Sequence, residues 1–219
     1  MLRGDTLTPG AFARLLGITG DTLRQRIHEG QLALAFGCRT PAYPGEYLPI
    51  DAAHVLLTSK LGRAMGDWKA AADVVIAGWE PLLRGIQCSE DDPRLYDPYE
   101  PIPDDEHLYL MVAARADQPA FGVVGTFERV VPQIAGCDML RAIRLPTVLC
   151  QLRDNAELGD ITLPDRLTPP HDDPEIEAYR AEIAEHRKLA DERYRAKQPK
   201  PDRPAVRFHP SLSIGGRAA

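Results

Sequence analysis

Apolar residues at helical spacing predict a short helix near the start of the chain. Phe12, Leu15 and Leu16 form one apolar stripe. Thr8 precedes the stripe and is suited to cap the helix, because a threonine hydroxyl accepts an N–H group of the first turn. Gly17 follows it, and glycine readily adopts the left-handed backbone that ends a helix. The pattern therefore predicts a helix that ends in a tight glycine turn.

A second helix is predicted directly after this turn. Thr19 is its N-cap, Leu23 and Ile27 are its buried positions, and Gly30 ends it. Its remaining positions carry donors and cations that suit contact with base edges and phosphates in a DNA major groove. The candidate DNA-binding residues of this helix are Thr19, Thr22, Arg24, Gln25, Arg26 and His28. Arg24 and Arg26 are the preferred candidates because they flank the buried positions.

A β-hairpin is predicted after the second helix. Two β-prone runs, LALAF and EYLPI, flank a turn-rich stretch around residues 37–46. This hairpin would form a wing beside the helices. Arg39 and Tyr43 lie near its tip and are further candidates for DNA contact.

The order helix, turn, helix, wing, helix is completed by a helix that Asp51 is predicted to cap. This order, with the stretch TLRQRIHEGQL, resembles the winged-helix domains of MerR-type and excisionase-type proteins over about residues 5–65. The same part is similar to the small subunits of phage terminases. The resemblance implies a winged helix-turn-helix domain over residues 1–65 that binds double-stranded DNA. PAYPGEY stands where a MerR-type wing is rich in arginine, and the long dimerising coiled coil is replaced by a shorter helix.

This shorter helix is predicted over residues 66–86, with a kink or an end at Pro81. Trp68 and Trp79 are eleven positions apart and would share one face of it. A dimer interface is the preferred interpretation of this face, since tryptophan is enriched at interface centres. The alternative is that both rings fix the helix to a neighbouring domain.

The second half of the chain divides into a linker, an α+β unit and a polar end. Residues 87–106 are acidic and rich in proline, which predicts a linker. Residues 107–165 are predicted to form a small α+β domain for dimerisation or effector binding, in which a helix begins near Pro146. Residues 174–197 are predicted as a charged helix. Residues 198–219 are predicted as a disordered tail, which with that helix would recruit a partner protein.

Charge and composition set limits on the function. The net charge is −6, with a hydrophobic fraction of 44% that is sufficient for a core. Residues 1–85 carry nine basic and eight acidic groups, whereas residues 86–150 carry five and eleven. The four cysteines form no CxxC pair, so no metal is expected, and no glycine-rich phosphate loop is present. We expect a cytoplasmic protein without a cofactor and without enzymatic activity.

The sequence therefore predicts an α+β protein that binds DNA as a homodimeric transcriptional regulator. A phage-type DNA-packaging adaptor is the alternative, in which the C-terminus binds a partner ATPase. The two functions differ in assembly and partner, since a regulator binds an operator and an adaptor binds a motor. A third possibility, that the middle unit is an enzyme or a small-molecule domain, would show as a ligand-induced rise in melting temperature.

Overall fold

A computed structural model describes residues 6–41, 45–97, 99–116, 118–168 and Lys188. In chain order the helices and strands of these residues are α1 (Pro9–Leu15), α2 (Gly20–His28), α3 (Pro49–Met65), α4 (Trp68–Ala77), α5 (Trp79–Asp91), β1 (Tyr109–Ala114), β2 (Phe121–Gly125), α6 (Phe127–Val130), β3 (Met139–Arg144) and α7 (Leu145–Leu158). The protein is therefore α+β, as predicted. Tyr43, the predicted helix over 174–197 apart from Lys188, and the tail over 198–219 lie outside the described residues.

The local signals predicted for the first two helices are confirmed. Thr8 and Thr19 cap α1 and α2, and each hydroxyl accepts the backbone N–H group three residues later, at 3.3 Å and 3.1 Å. Gly17 and Gly30 follow these helices with φ values of 66° and 67°. Such positive φ values are costly for residues with a Cβ, which explains why glycine occupies both ends.

The prediction that Asp51 is the N-cap of the third helix is wrong. α3 begins two residues earlier, at Pro49, because proline needs no hydrogen-bond acceptor in a first turn. Asp51 lies inside that turn and is buried. One of its carboxylate oxygens accepts the N–H group of Ala35 at 2.9 Å, and the other accepts that of Leu48 at 2.8 Å. Asp51 therefore holds both ends of the segment between these two residues against α3.

A second buried titratable group lies one turn further along α3. The Nδ1 atom of His54 is 3.1 Å from the Ile50 carbonyl, which only accepts, so Nδ1 carries the proton. Its Nε2 atom has no hydrogen-bond partner among the described residues. Burial lowers the pKa of His54 to about 4. Burial also raises the pKa of Asp51 to about 7, although its two backbone hydrogen bonds act in the opposite direction.

The continuous helix predicted over residues 66–86 is two helices. α4 ends at Ala77, and Gly78 separates it from α5, so the break precedes Pro81 by one turn. Pro81 lies in the first turn of α5, where its missing N–H group removes no helical hydrogen bond. The proline therefore starts a helix, and the glycine before it provides the break.

The acidic stretch over residues 87–106 is not simply a linker. α5 continues through it to Asp91, and a 3₁₀ turn follows at Pro93–Tyr96. Leu95 is buried, which fixes this turn to the core. Arg94 forms ion pairs with Asp92 and Glu106, so part of the local negative charge is neutralised within the stretch.

The α+β character predicted for residues 107–165 is confirmed by the strands and helices between Tyr109 and Leu158. β1, β2 and β3 form an antiparallel sheet in the order β2-β1-β3, in which Tyr109 lies between Gly125 and Arg144. β1 is the central strand and is buried on both faces. Leu110 and Val112 face the main core, and the alternate positions of the strand pack under α6 and the 3₁₀ turn that follows it. The helix predicted near Pro146 is α7.

The described residues between Leu7 and Leu61 share one core with the sheet. The main cluster of buried apolar side chains extends from Leu7 to Leu167 and includes residues of α1, α3, α4, α5, β1 and α7. Asn155 of α7 donates a hydrogen bond to the Leu15 carbonyl at 2.9 Å, which ties the end of α1 to the second half of the chain. The helices of the predicted DNA-binding block are thus packed against the α+β unit.

The segment after α7 is held to the end of α5. The carboxylate of Glu90 accepts the backbone N–H groups of Leu167 and Thr168, at 2.7 Å and 3.1 Å. Arg166 pairs with Asp91 beside it. The chain that follows residue 168 therefore starts from a fixed position.

We predict that Gly85→Ala lowers the free energy of unfolding by about 1–3 kcal/mol, the usual cost of an extra methyl group in a packed core. A Cβ at Gly85 would lie 2.7 Å from Cγ1 of Val124 and 2.8 Å from Cδ1 of Leu145. Val124 cannot easily move, because a β-branched side chain has few rotamers. Urea unfolding measures the effect. Gly10→Ala in α1 is the control, because its Cβ would meet nothing within 4 Å; equal stability of the two variants would contradict the packing argument.

Candidate nucleic-acid interface

α1, the turn at Gly17 and α2 form the arrangement that the sequence predicted as a candidate helix-turn-helix. Leu23 is buried in α2, and Ile27 packs against the same core at its edge. The turn is closed by hydrogen bonds from the N–H groups of Gly17 and Ile18 to carbonyls of α1, at 2.9 Å and 3.0 Å. α2 is therefore fixed by its apolar face, and its other face is left for contact.

Arg26 does not lie on the outward face of α2, which corrects the prediction. Its Nη1 atom donates to Oγ of Ser59 on α3 at 3.0 Å, and its guanidinium carbon lies 4.3 Å from the centre of the Trp68 ring. The sequence spacing explains this position of Arg26. It follows the buried Leu23 by three positions and therefore lies beside Leu23 on the helix. Arg26 fastens α2 to α3 and α4.

The outward face of α2 carries Asp21, Arg24, Gln25, His28 and Glu29, all exposed. Arg24 forms an ion pair with Asp21, and Gln25 donates to Glu29 at 2.8 Å. The Thr19 hydroxyl lies 2.9 Å from that of Thr22. Gln25 and His28 have the donors and acceptors needed to contact base edges. On this face the carboxylates of Asp21 and Glu29 already bind Arg24 and Gln25, so they compete with DNA for these two side chains.

Among the described residues of this segment, LALAF and EYLPI do not pair with each other as the two strands of the predicted hairpin. All five LALAF residues are buried, and Ala35–Gly37 form a 3₁₀ turn closed by a single bridge between Leu34 and Cys38. Tyr47 pairs with Leu7 instead, and its ring stacks on Phe12 at 4.1 Å. The N–H group of Ala35 is used by Asp51, so it is lost to strand pairing.

Arg39 is partly exposed but is paired within the chain, which corrects its assignment to a wing tip. Its guanidinium donates to the carbonyl of Gly30 and pairs with Asp73 on α4. It therefore connects the end of α2 to α4. Tyr43, the other residue predicted for the tip, lies outside the described residues.

Trp68 and Trp79 do not share one helix face, because they lie on α4 and α5. The ring of Trp68 packs over Gly62 of α3, where an added Cβ would lie 2.6 Å from a ring carbon. The ring of Trp79 lies 5.7 Å from that of Phe36. Both rings are only partly buried but are used within the chain, so the spacing argument for a dimer interface fails.

The residues that the sequence analysis missed lie on α3. Ser59 and Arg63 are one helical turn apart, on the side of α3 that meets α2. Arg63 is exposed. Their spacing of four could have identified a shared face, but only the contact with Arg26 shows that this face adjoins α2.

Comparison of the sequence with models of protein families gives no match, and no curated protein is significantly similar to it. Among the described residues, every helix is too short or too polar to cross a membrane.

Proposed function

We propose that the protein binds double-stranded DNA, with α2 inserted in the major groove. The observation that supports this function is a rigid, doubly capped pair of short helices whose second member presents an exposed polar face. α2 is held by Leu23, by Arg26 and by the Arg39 link at its end. Rigid presentation matters because base contacts require fixed side-chain positions.

Gln25 and His28 are the base-contacting residues in this proposal. Both are exposed, and neither takes part in the packing of α2. Thr19 and Thr22 serve mainly as the cap of the helix, although their hydroxyls also face the solvent side of its first turn. Arg24 would exchange its Asp21 partner for a phosphate or a guanine edge.

The proposed biological role is transcriptional regulation in the cytoplasm by a homodimer. A dimer doubles the phosphate contacts and reads two half-sites, which compensates for the small basic excess of nine basic over eight acidic groups in residues 1–85 of each copy. Light scattering of the purified chain tests this directly. A mass of one chain at micromolar concentration would contradict it.

A DNA-packaging adaptor is the second candidate function. The observation that favours it is the pair of hydrogen bonds by which the Glu90 carboxylate holds the N–H groups of Leu167 and Thr168. A tail that begins at a fixed point is well placed to bind a partner protein. Deleting residues 198–219 separates the two functions. An adaptor would lose its partner and keep its DNA affinity, whereas a regulator would keep operator binding with no such partner.

We predict that Gln25→Ala combined with His28→Ala weakens binding to a selected DNA site by about 10–100-fold, since each good base contact is worth roughly 1–3 kcal/mol. Binding to random duplex should change little. Fluorescence anisotropy measures both, after selection of a site from a random duplex pool. Glu80→Ala on the exposed side of α5 is the control. Equal loss on both kinds of duplex would show that this face does not read sequence.

A further inference from the structure

The outward face of α2 contains too little positive charge to attract DNA by itself. It carries one guanidinium, that of Arg24, and two carboxylates, those of Asp21 and Glu29. Affinity for duplex DNA depends on cations that replace counterions at the phosphates. If α2 enters a groove, the required cations must lie beside this face and not on it.

Two guanidinium groups meet beside it, at the junction of α2 and α3. Arg26 is half-buried between Ser59 and Trp68, and its orientation is fixed by a hydrogen bond to one and a ring contact with the other. Arg63 lies one turn after Ser59 on the same side of α3. Burial lowers the pKa of Arg26, and the positive charge of Arg63 lowers it further.

Neither guanidinium has a carboxylate within ion-pairing distance in the described part of the chain. Asp67, which follows Arg63 by four positions, uses one carboxylate oxygen to accept the N–H groups of Lys69 and Ala70 at 2.9 Å each. Like charges that are held together without a counter-ion favour the binding of an anion.

We propose that Arg26 and Arg63 form a phosphate-binding seam between α2 and α3 that contacts the DNA backbone next to the groove entered by α2. This inference rests on the proposed function. The planar guanidinium suits phosphate because it donates two parallel hydrogen bonds. The seam lies along the flank of α2, where a backbone strand runs when a helix occupies the major groove. The contact is independent of sequence and supplies affinity, while Gln25 and His28 supply specificity.

Arg63→Ala tests the seam, because Arg63 is exposed and its removal leaves the Arg26 packing intact. The matched control is Arg84→Ala, which removes another exposed arginine, one that pairs with Glu80 on α5. The full chain is titrated into two unrelated duplexes at several salt concentrations. For Arg63→Ala we expect binding up to about tenfold weaker on both duplexes, and a slope of log K against log salt that is reduced by about 0.9. Arg63→Glu should weaken binding further.

Three outcomes are distinguishable. A reduced slope for Arg63→Ala with an unchanged slope for Arg84→Ala supports the seam. Equal behaviour of the two variants and the unmodified chain overturns the seam and leaves the proposed function intact. No binding of the unmodified chain to either duplex at low salt overturns the proposed function, and the seam as a DNA contact with it.

Discussion

Replacing Asp51 by alanine should lower the free energy of unfolding by about 2–5 kcal/mol, since each buried polar group left without a partner costs roughly 1–3 kcal/mol. The two groups are the N–H groups of Ala35 and Leu48, which Asp51 accepts at 2.9 Å and 2.8 Å. Asp51 is buried, so water could accept these two N–H groups in its place only if the substitution left a cavity large enough for a water molecule. Urea unfolding followed by circular dichroism gives the value.

Asp51→Asn is the informative control for this prediction. An amide has one oxygen that accepts and one nitrogen that only donates, so it keeps one of the two hydrogen bonds and places a donor against the other N–H group. About half of the alanine effect is expected. If alanine and asparagine both leave the stability unchanged, Asp51 does not hold the segment between Ala35 and Leu48.

Features that depend on neighbouring residues were predictable from the sequence. The caps Thr8 and Thr19 and the turn glycines Gly17 and Gly30 act within three or four residues, so the sequence around them contains all the information. The helix at Pro146 was predictable for a similar reason, because proline favours the first turn of a helix.

Features that depend on distant partners were not predictable. Arg26 is directed by Ser59, 33 positions later in the chain, and Arg39 by Asp73, 34 positions later. Arg26 was expected to face outward because it flanks the buried positions of α2, and Arg39 was expected to do so because it lies near the tip of the predicted wing. The strand predicted for LALAF was wrong for a related reason. All five residues are apolar and buried, so no alternation of apolar and polar positions distinguishes a strand from a buried turn.

The difference between features set by neighbouring residues and features set by distant partners explains why the structure changed the predicted site more than the predicted fold. α1, α2 and their turn stand as predicted, but Arg26 lies at the junction with α3 and not on the outward face of α2. A double variant of Arg24 and Arg26 would remove a residue that fastens α2, so a loss of DNA binding would not separate contact from folding. Gln25 and His28 give a cleaner test because they are exposed.

A second large effect is expected in the pH dependence of stability, where Asp51 and His54 act in opposite directions. The pKa of Asp51 is raised from 3.8 to about 7 on folding, so the folded chain holds a proton that the unfolded chain has lost between these values. Its contribution to stability is complete below pH 4 and falls as the pH rises towards 7. The pKa of His54 is lowered from 6.5 to about 4, so its contribution is complete above pH 6.5 and falls as the pH drops towards 4.

In the unmodified chain these two slopes largely cancel between pH 4 and 6.5, and each single variant should reveal the other group. His54→Leu should become less stable as the pH rises, by up to roughly 4 kcal/mol, and Asp51→Asn more stable, by up to roughly 3 kcal/mol, at about 1.4 kcal/mol per pKa unit. Urea unfolding at several pH values measures the slopes, and the double variant should be nearly flat. Slopes of the same sign in the two single variants would contradict the assignment, because the opposite pKa shifts of Asp51 and His54 give slopes of opposite sign.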